Sequence, residues 1–197
     1  MKIMFYGDSN TYGYDPRGPI PGRYEMDKRW TTIVANALGP DYQIISEGMN
    51  GRKIPAREME LGYFFKDIEI NEPLDMVGIM LGTNDYLFAS NRTVQMVTDR
   101  MRIMIEETGK RYPDLKILLM TPPPIEMSHM FGAEECDTTD GKLAKAYEDL
   151  ASELDLMLFD GAKEDMDIAF DGAHLTEKGH AQLGERLSKF LLDNLGK

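Results

Sequence analysis

Residues 1–14, MKIMFYGDSNTYGY, place a short apolar segment directly before a polar turn that contains a serine. The apolar segment, residues 2–6, is too short for a buried helix and has no polar alternation, which favours a strand covered on both faces, as in parallel sheets. Gly7 permits a sharp turn after this strand, and Asp8 or Ser9 can cap the helix or turn that follows. Taken alone, the segment fits an ordinary capped turn equally well. If the strand is central, however, its carboxyl end presents Ser9 where open α/β sheets bind ligands.

Apolar patterns along the rest of the chain predict an alternation of strands and helices. Four further strands are predicted at residues 42–45, 74–81, 115–120 and 156–159. Helices are predicted within residues 30–38, 52–70, 93–112, 142–154 and 176–195. This alternation predicts a three-layer α/β/α sandwich around a parallel sheet of about five strands. A chain of 197 residues has room for one full hydrophobic core, so we predict a single domain over residues 1–197.

The composition excludes several kinds of partner. The formal net charge is −12 and the sequence contains no basic stripe, which disfavours nucleic acid and anionic membrane surfaces. The most apolar segments, residues 76–81 and 117–120, are much shorter than the roughly 20 residues that cross a bilayer. The single cysteine, Cys136, cannot form an intrachain disulfide and fits a reducing compartment. Because the first strand starts at the first residues, we expect no signal sequence and a cytoplasmic protein.

Four polar segments that contain glycine follow the first three strands or precede the last helix. They are residues 7–13, 46–51, 82–85 and 171–174. The first three of these turns should lie along one edge of a parallel sheet. Together the four segments offer a hydroxyl, an imidazole, carboxylates and amide donors, which are the groups of a serine hydrolase.

We predict a role for each of these groups. Ser9 is the candidate nucleophile, and His174 is the candidate base because it alone among the three histidines stands beside a carboxylate before a helix. Asp171 lies three residues earlier and can hold the far ring nitrogen of His174. The backbone N–H groups of Ser9 and Gly51 and the side-chain amide of Asn84 are the candidate oxyanion donors. This chemistry requires no metal and no cofactor.

The four segments resemble the four sequence blocks of the SGNH hydrolases, also called GDSL esterases and lipases. The order and spacing of the blocks cover essentially the whole chain, and residues 9–13, 29–30 and 81–85 are most similar to the arylesterase and acyltransferase branch. The resemblance implies a flavodoxin-like fold and the same roles for the serine, asparagine and histidine. It also implies activity on small acyl esters, with acyl transfer to an alcohol as a further possibility, and a tendency to form homo-oligomers.

The resemblance leaves the glycine donor of the oxyanion hole open. Gly48 and Gly51 can both be aligned with the glycine donor, and we prefer Gly51 because Asn50 then supplies the small polar residue before it. Residues expected to line the substrate site are Asp8, Asn10, Tyr12 and Trp30. Asp8 is also expected to accept hydrogen bonds at the turn after the first strand. In this chain, Asn10 stands where many members of the family carry leucine.

Several nearby residues receive structural interpretations. Asp85 is expected to cap a turn, His180 to lie on a solvated face of the last helix, and His129 to belong to a lid. The loops at residues 15–28 and 125–142 are expected to shape the pocket. Aromatic and methionine residues in and near these segments suggest a small apolar acyl site. These residues are Tyr12, Tyr14, Met49, Tyr86, Phe88, Met127, Met130 and Phe131.

Other functions remain open from the sequence. Within the family, the enzyme could be a carbohydrate O-deacetylase, a lysophospholipase or a thioesterase. A metal-dependent phosphohydrolase could gather its ligands from Asp8, Asp85, Asp171 and His174, and sensitivity to a chelator distinguishes it. A binding module without catalytic activity would leave Ser9 unreactive toward an organophosphonate.

Overall fold

The computed structural model describes residues 1–18, 20, 22–87, 93–125, 141–162 and 166–195. In chain order, its strands are β1 (Lys2–Gly7), β2 (Tyr14–Asp15), β3 (Gly22–Arg23), β4 (Gln43–Gly48), β5 (Met76–Met80), β6 (Lys116–Thr121) and β7 (Met157–Asp160). Its α-helices are α1 (Ser9–Tyr12), α2 (Trp30–Leu38), α3 (Glu58–Ile70), α4 (Thr83–Leu87), α5 (Val94–Arg111), α6 (Lys142–Glu153) and α7 (Glu177–Leu195), and a 3₁₀ turn covers Met26–Lys28.

Five of the strands form one parallel sheet in the order β4-β1-β5-β6-β7. Side chains that alternate along each strand enter two separate hydrophobic layers. On β1, Met4 and Tyr6 pack in the layer that contains residues of α3, α5 and α6, whereas Ile3 and Phe5 pack in the layer that contains residues of α2 and α7. Both faces of the strands are therefore covered, which explains their continuous apolar sequences and confirms the predicted three-layer α/β/α sandwich.

The topology brings three strand ends together. The chain passes from β1 outward to β4 and then back across β1 to β5, so the strand order reverses beside β1. In the register of the sheet, Gly7 at the end of β1 is opposite both Gly48 of β4 and Met80 of β5. The segments that follow these strands consequently start side by side at the carboxyl edge, where parallel α/β sheets form their ligand crevice.

Local hydrogen bonds fix the starts of the longer helices. The Thr93 side chain accepts a hydrogen bond from Met96 N at 3.1 Å and begins α5. Thr176 does the same for Gly179 N at the start of α7, also at 3.1 Å, which confirms the cap predicted there. The Glu60 carboxylate accepts from residues just before α3 and closes its first turn.

The predicted strands and long helices are confirmed, with ends that differ by a few residues. The polar turns after β1 and β5 are more regular than expected, because each contains a short helix, α1 or α4. The loop at residues 15–28 includes the small β2–β3 hairpin and the 3₁₀ turn, and Tyr24 N donates to Gly13 O at 2.8 Å beside that hairpin. No helix within the described part of the chain is both long and apolar enough to span a membrane.

Some predictions fall on residues outside the described ranges. They concern His129 as a lid residue, Cys136, most of the loop at residues 125–142, and the side chains of Phe88, Met127, Met130 and Phe131.

Candidate active site

Ser9 lies at the start of α1, one short turn beyond the end of β1. Asp8 caps this helix, because its Oδ1 accepts a hydrogen bond from Asn10 N at 2.9 Å. Gly13 ends the helix in a left-handed conformation with φ 83°. The predicted strand, turn and serine are therefore all present, and the hydroxyl of Ser9 stands at the carboxyl edge of the sheet.

Ser9, His174 and Asp171 are joined by hydrogen bonds although they come from opposite ends of the chain. Ser9 Oγ lies 2.9 Å from His174 Nε2, and His174 Nδ1 lies 2.6 Å from Asp171 Oδ2. Since a carboxylate only accepts, Nδ1 carries the proton, and Nε2 is left to accept from the Ser9 hydroxyl. The structure thus brings the three predicted triad residues into the order serine, histidine, aspartate.

The turn around His174 is organised by Asp171. Its Oδ1 accepts from the backbone N–H groups of Ala173 and His174, both at 3.1 Å. Burial acts to raise the pKa of Asp171, but the hydrogen bonds from the ring and backbone of His174 and from Ala173 outweigh it and lower that pKa below its ordinary value. Asp171 therefore remains an anion beside the imidazole.

Tyr14 of the small hairpin packs against the imidazole of His174. The two ring centroids are 4.4 Å apart with planes tilted by 43°. This contact limits the orientations open to His174 and was not assigned from the sequence, where Tyr14 appeared only among the residues of a possible acyl site. The sequence signal that could have indicated this contact is the position of Tyr14, five residues after Ser9 and directly after the predicted active-site turn.

Asn84 lies in α4, directly after β5, and its side chain is buried beside the start of α1. Its Nδ2 donates to Arg52 O at 3.1 Å and approaches Asp8 Oδ2 at 3.4 Å. Burial raises the pKa of Asp8 to about 6, although the hydrogen bond from Asn10 and the nearby His174 and Arg52 partly oppose this shift. Asp8 is thus a buried acceptor that links α1 to Asn84, as was expected of its role at this turn.

The two candidate donor glycines differ in their surroundings. A Cβ on Gly48 would lie 2.1 Å from Tyr12 N, so Gly48 lets the backbone of α1 pack directly on β4. Gly51 has a positive φ of 74° and open space around its Cβ position. Gly51 also precedes Arg52, whose carbonyl accepts from Asn84. Gly48 is thus a packing residue, and the choice of Gly51 as the oxyanion donor stays a prediction.

Arg52 anchors the loop that contains Gly51. Its Nη1 donates to Gly7 O at 2.9 Å and to Glu47 O, and its guanidinium lies 3.9 Å from the ring centroid of Tyr6. Arg52 is therefore a structural clamp between the ends of β1 and β4. A single basic residue after a glycine turn gave no sequence signal for this function.

Asp85 does not act as the turn cap that the sequence suggested. Its Oδ2 accepts from Ile54 N at 3.0 Å, and its Oδ1 lies 2.9 Å from Arg100 Nε. Burial raises the pKa of Asp85, an effect that Ile54 and Arg100 reduce. The adjacent residues Asn84 and Asp85 of α4 thus bond to the backbone of Arg52 and of Ile54, both in the loop after β4.

The expected substrate-lining residues occupy different environments. Tyr12 is half-buried with its ring under the Arg23 guanidinium at 4.2 Å. Trp30 is fully buried, and its Nε1 donates to Asn10 O at 3.0 Å. Asn10 is also buried, and its side-chain amide bonds to the backbone on both sides of His174. Asn10 and Trp30 therefore have protein partners where substrate contacts were expected.

The prediction that His180 faces solvent is wrong. His180 is fully buried, its Nδ1 accepts from Trp30 N at 3.4 Å, and its ring packs edge-on against Tyr24 at 5.2 Å. Burial lowers its pKa to about 4, with further contributions from Arg29 and His174. His180 is consequently a neutral core residue behind the active site.

Within the described ranges, no group of three or more histidine, cysteine, aspartate or glutamate residues is arranged to hold a metal ion. The ligand set considered for a phosphohydrolase is not assembled, because Asp85 points to Ile54 and Arg100 while Asp171 bonds to His174.

A parallel α/β/α sandwich with a linked serine, histidine and aspartate at its carboxyl edge has the architecture of a serine hydrolase. Residues 5–182 match the GDSL-like Lipase/Acylhydrolase family. The chain belongs to this family, and it is a serine ester hydrolase.

Solved structures of esterases are similar over the whole chain. The aryl esterase of M. smegmatis is 30% identical, with a TM-score of 0.82 and 98% of each chain covered. A carbohydrate acetylesterase family member from Sinorhizobium meliloti is 28% identical, with a TM-score of 0.84 and coverage of 100% of this chain and 99% of that one. Among curated protein sequences, no match is found.

Proposed function

We propose that this enzyme hydrolyses esters of small acyl groups, acetyl esters foremost, through an acyl intermediate on Ser9. The observation that carries the proposal is the hydrogen-bonded series in which His174 Nε2 lies 2.9 Å from Ser9 Oγ and His174 Nδ1 lies 2.6 Å from Asp171. This geometry supports Ser9 as nucleophile, His174 as base and Asp171 as the group that orients the imidazole.

In the acylation step, His174 Nε2 takes the hydroxyl proton while Ser9 Oγ attacks the ester carbonyl carbon. The π electrons of the carbonyl move to its oxygen, and the backbone N–H groups of Ser9 and Gly51 stabilise the oxyanion together with one N–H of Asn84 Nδ2, which gives up its long 3.4 Å contact with Asp8 Oδ2 for this purpose. When the carbonyl reforms, the bond to the alcohol oxygen breaks, and protonated His174 gives its proton to the leaving alcohol. Ser9 then carries the acyl group.

Deacylation repeats these events with water. His174 takes a proton from water as the water oxygen attacks the acyl carbon, and it returns that proton to Ser9 Oγ when the carboxylic acid leaves. An alcohol that occupies the place of water would yield a new ester, so the same site could catalyse acyl transfer. Product analysis in the presence of a simple alcohol distinguishes the two outcomes.

The names of the similar structures suggest which alcohol groups and which acyl group to test first. One is an aryl esterase and another a carbohydrate acetylesterase family member, so aryl acetates and acetylated sugars are the first two classes to test. A panel that varies acyl length and alcohol separately would rank them. The cytoplasmic location and the homo-oligomer stay predictions.

Replacing the nucleophile tests the proposal directly. Ser9→Ala should abolish turnover of a chromogenic aryl acetate and covalent labelling by an organophosphonate. Ser152→Ala, at an exposed position of α6, is the matched control and should retain both. Full activity in the Ser9 variant would remove the proposed mechanism.

A further inference from the structure

The side chain of Asn10 connects α1 to the backbone on both sides of His174. Its Nδ2 donates to Ala173 O at 3.0 Å, and its Oδ1 accepts from Leu175 N at 2.9 Å. A single amide therefore holds the residue before His174 and the residue after it. Asn10 directly follows Ser9 in the chain. Its side chain is therefore a clamp that connects the backbone beside the nucleophile to the backbone on both sides of the base.

Asn10 is itself held in a fixed position. Its backbone N donates to Asp8 Oδ1 at 2.9 Å, and its carbonyl accepts from Trp30 Nε1 at 3.0 Å. Trp30 is fully buried and packs edge-on against Phe5 of β1, with 4.9 Å between ring centroids. The backbone of Asn10 is thus held by Asp8 and Trp30, while its side-chain amide bonds to the histidine turn.

The other hydrogen bonds made by Asp171 and the backbone of His174 stay within the histidine turn. Asp171 bonds to the ring and backbone of His174, and Ala169 N donates to His174 O at 2.7 Å, but all three residues belong to the same turn. These bonds keep Asp171 and His174 together without setting their distance from Ser9. Among the described residues, the hydrogen bonds from α1 to the backbone of this turn are those of Asn10.

We propose that Asn10 is a positioning residue that sets the distance between Ser9 Oγ and His174 Nε2, rather than a residue that binds substrate. This inference rests on the proposed function. Proton transfer between Ser9 and His174 is required in both acylation and deacylation. A shift of the turn by about 1 Å is enough to slow such a reaction about 100-fold.

Two substitutions remove the clamp in different ways. Asn10→Asp keeps the size of the side chain but replaces the donor to Ala173 O with an oxygen, and Asn10→Ala removes both hydrogen bonds. We expect kcat for an aryl acetate to fall about 100-fold in each variant, with KM changed less than about threefold. Asn194→Asp is the control, because Asn194 Nδ2 also donates to a backbone carbonyl, that of Phe190, at the far end of α7.

Organophosphonate labelling separates misplacement from loss of folded protein. If Asn10 positions His174, the rate constant for labelling Ser9 should fall in parallel with kcat, while the final extent stays at one label per chain. A purely structural contribution would lower the final extent or the unfolding temperature and leave the rate constant of the folded fraction unchanged. That result would overturn the inference.

A double-mutant cycle tests whether Asn10 acts through His174. In a His174→Ala background, adding Asn10→Asp should change the residual rate less than about threefold, because the group that the clamp positions is absent. A further 100-fold loss in that background would contradict the inference, as would a large rise in KM with normal kcat. If the parent enzyme neither turns over esters nor labels at Ser9, the proposed function itself fails, which is a separate outcome.

Discussion

The carboxylate of Asp171 holds His174 at two different atoms. Oδ2 accepts from the ring Nδ1 at 2.6 Å, and Oδ1 accepts from the backbone N–H of the same residue at 3.1 Å. One contact sets the tautomer of the imidazole and the other sets the shape of the turn. A substitution that replaces only Oδ2 can separate control of the imidazole tautomer from control of the turn.

Asp171→Asn is that substitution. Its amide oxygen can still accept from the backbone N–H groups, while its NH₂ faces Nδ1 and forces the ring proton onto Nε2, opposite the Ser9 hydroxyl. His174 then cannot accept the serine proton, so we expect kcat to fall about 10⁴-fold, the loss known for this change in Ser-His-Asp proteases. The free energy of unfolding should change by no more than about 1 kcal/mol. A variant within tenfold of the parent kcat would show that Asp171 does not set the tautomer.

The loop that contains Gly51 depends on a buried ion pair behind it. Asp85 is 2% exposed, and its carboxylate accepts from Ile54 N at 3.0 Å while lying 2.9 Å from Arg100 Nε. Removing the carboxylate leaves Ile54 N without its acceptor and Arg100 Nε without its buried counter-charge, although Arg100 Nη2 keeps its contacts with Ile54 O and Glu60. Such losses destabilise a protein far more than the loss of an exposed ion pair.

We therefore expect Asp85→Ala to lower the free energy of unfolding by about 3 kcal/mol in urea denaturation. The matched control is Glu69→Ala, which breaks the exposed ion pair between Glu69 and Arg111 and should cost less than about 1 kcal/mol. Equal effects of the two substitutions would mean that Asp85 adds nothing beyond a surface ion pair.

The three candidate triad residues and Asn84 could be proposed from the sequence because each follows a strong local pattern. Ser9 and Asn84 stand in glycine turns directly after apolar strands, and Asp171 precedes His174 at a spacing that one turn can close. Parallel strands then impose the meeting of these turns at one edge. The fold and the chemical groups are consequences of sequence periodicity and topology.

The supporting contacts could not be predicted in the same way. Arg52 and Tyr14 act through residues distant in sequence, and neither belongs to a periodic pattern. Asn10 was expected to line the substrate site, although its amide bonds to the backbone of the histidine turn. Which of several nearby polar groups a buried amide selects is decided by tertiary packing rather than by local sequence.

His180 is a case where a signal was present but was given too little weight. It lies three residues before Leu183 and continues the buried stripe of α7 through Leu187 and Leu191. This 3.6-residue period indicates a core position, whereas the polar character of histidine suggested a solvated one. The period was the correct signal, since His180 is fully buried. Its polar ring can be buried because Nδ1 accepts a hydrogen bond from Trp30 N.

Burial of His180 makes the stability of the protein depend on pH. Its pKa falls from the ordinary value of 6.5 to about 4 in the folded state, so the unfolded chain binds a proton that the folded protein excludes. The stability that the neutral ring contributes is fully present above pH 6.5 and is lost as the pH falls toward 4. This lowering of the pKa corresponds to about 3 kcal/mol.

His180→Asn isolates this contribution, since its side-chain oxygen can accept from Trp30 N but cannot be protonated in this range. We expect the free energy of unfolding of the parent to fall, relative to that of the variant, by about 3 kcal/mol between pH 6.5 and pH 4. The variant's packing loss against Tyr24 is independent of pH and cancels in this comparison. Urea denaturation at several pH values measures both curves. Parallel curves would show that the pKa of His180 is the same in the folded and unfolded states. That result would contradict the lowering of its pKa by burial against Trp30 and Tyr24.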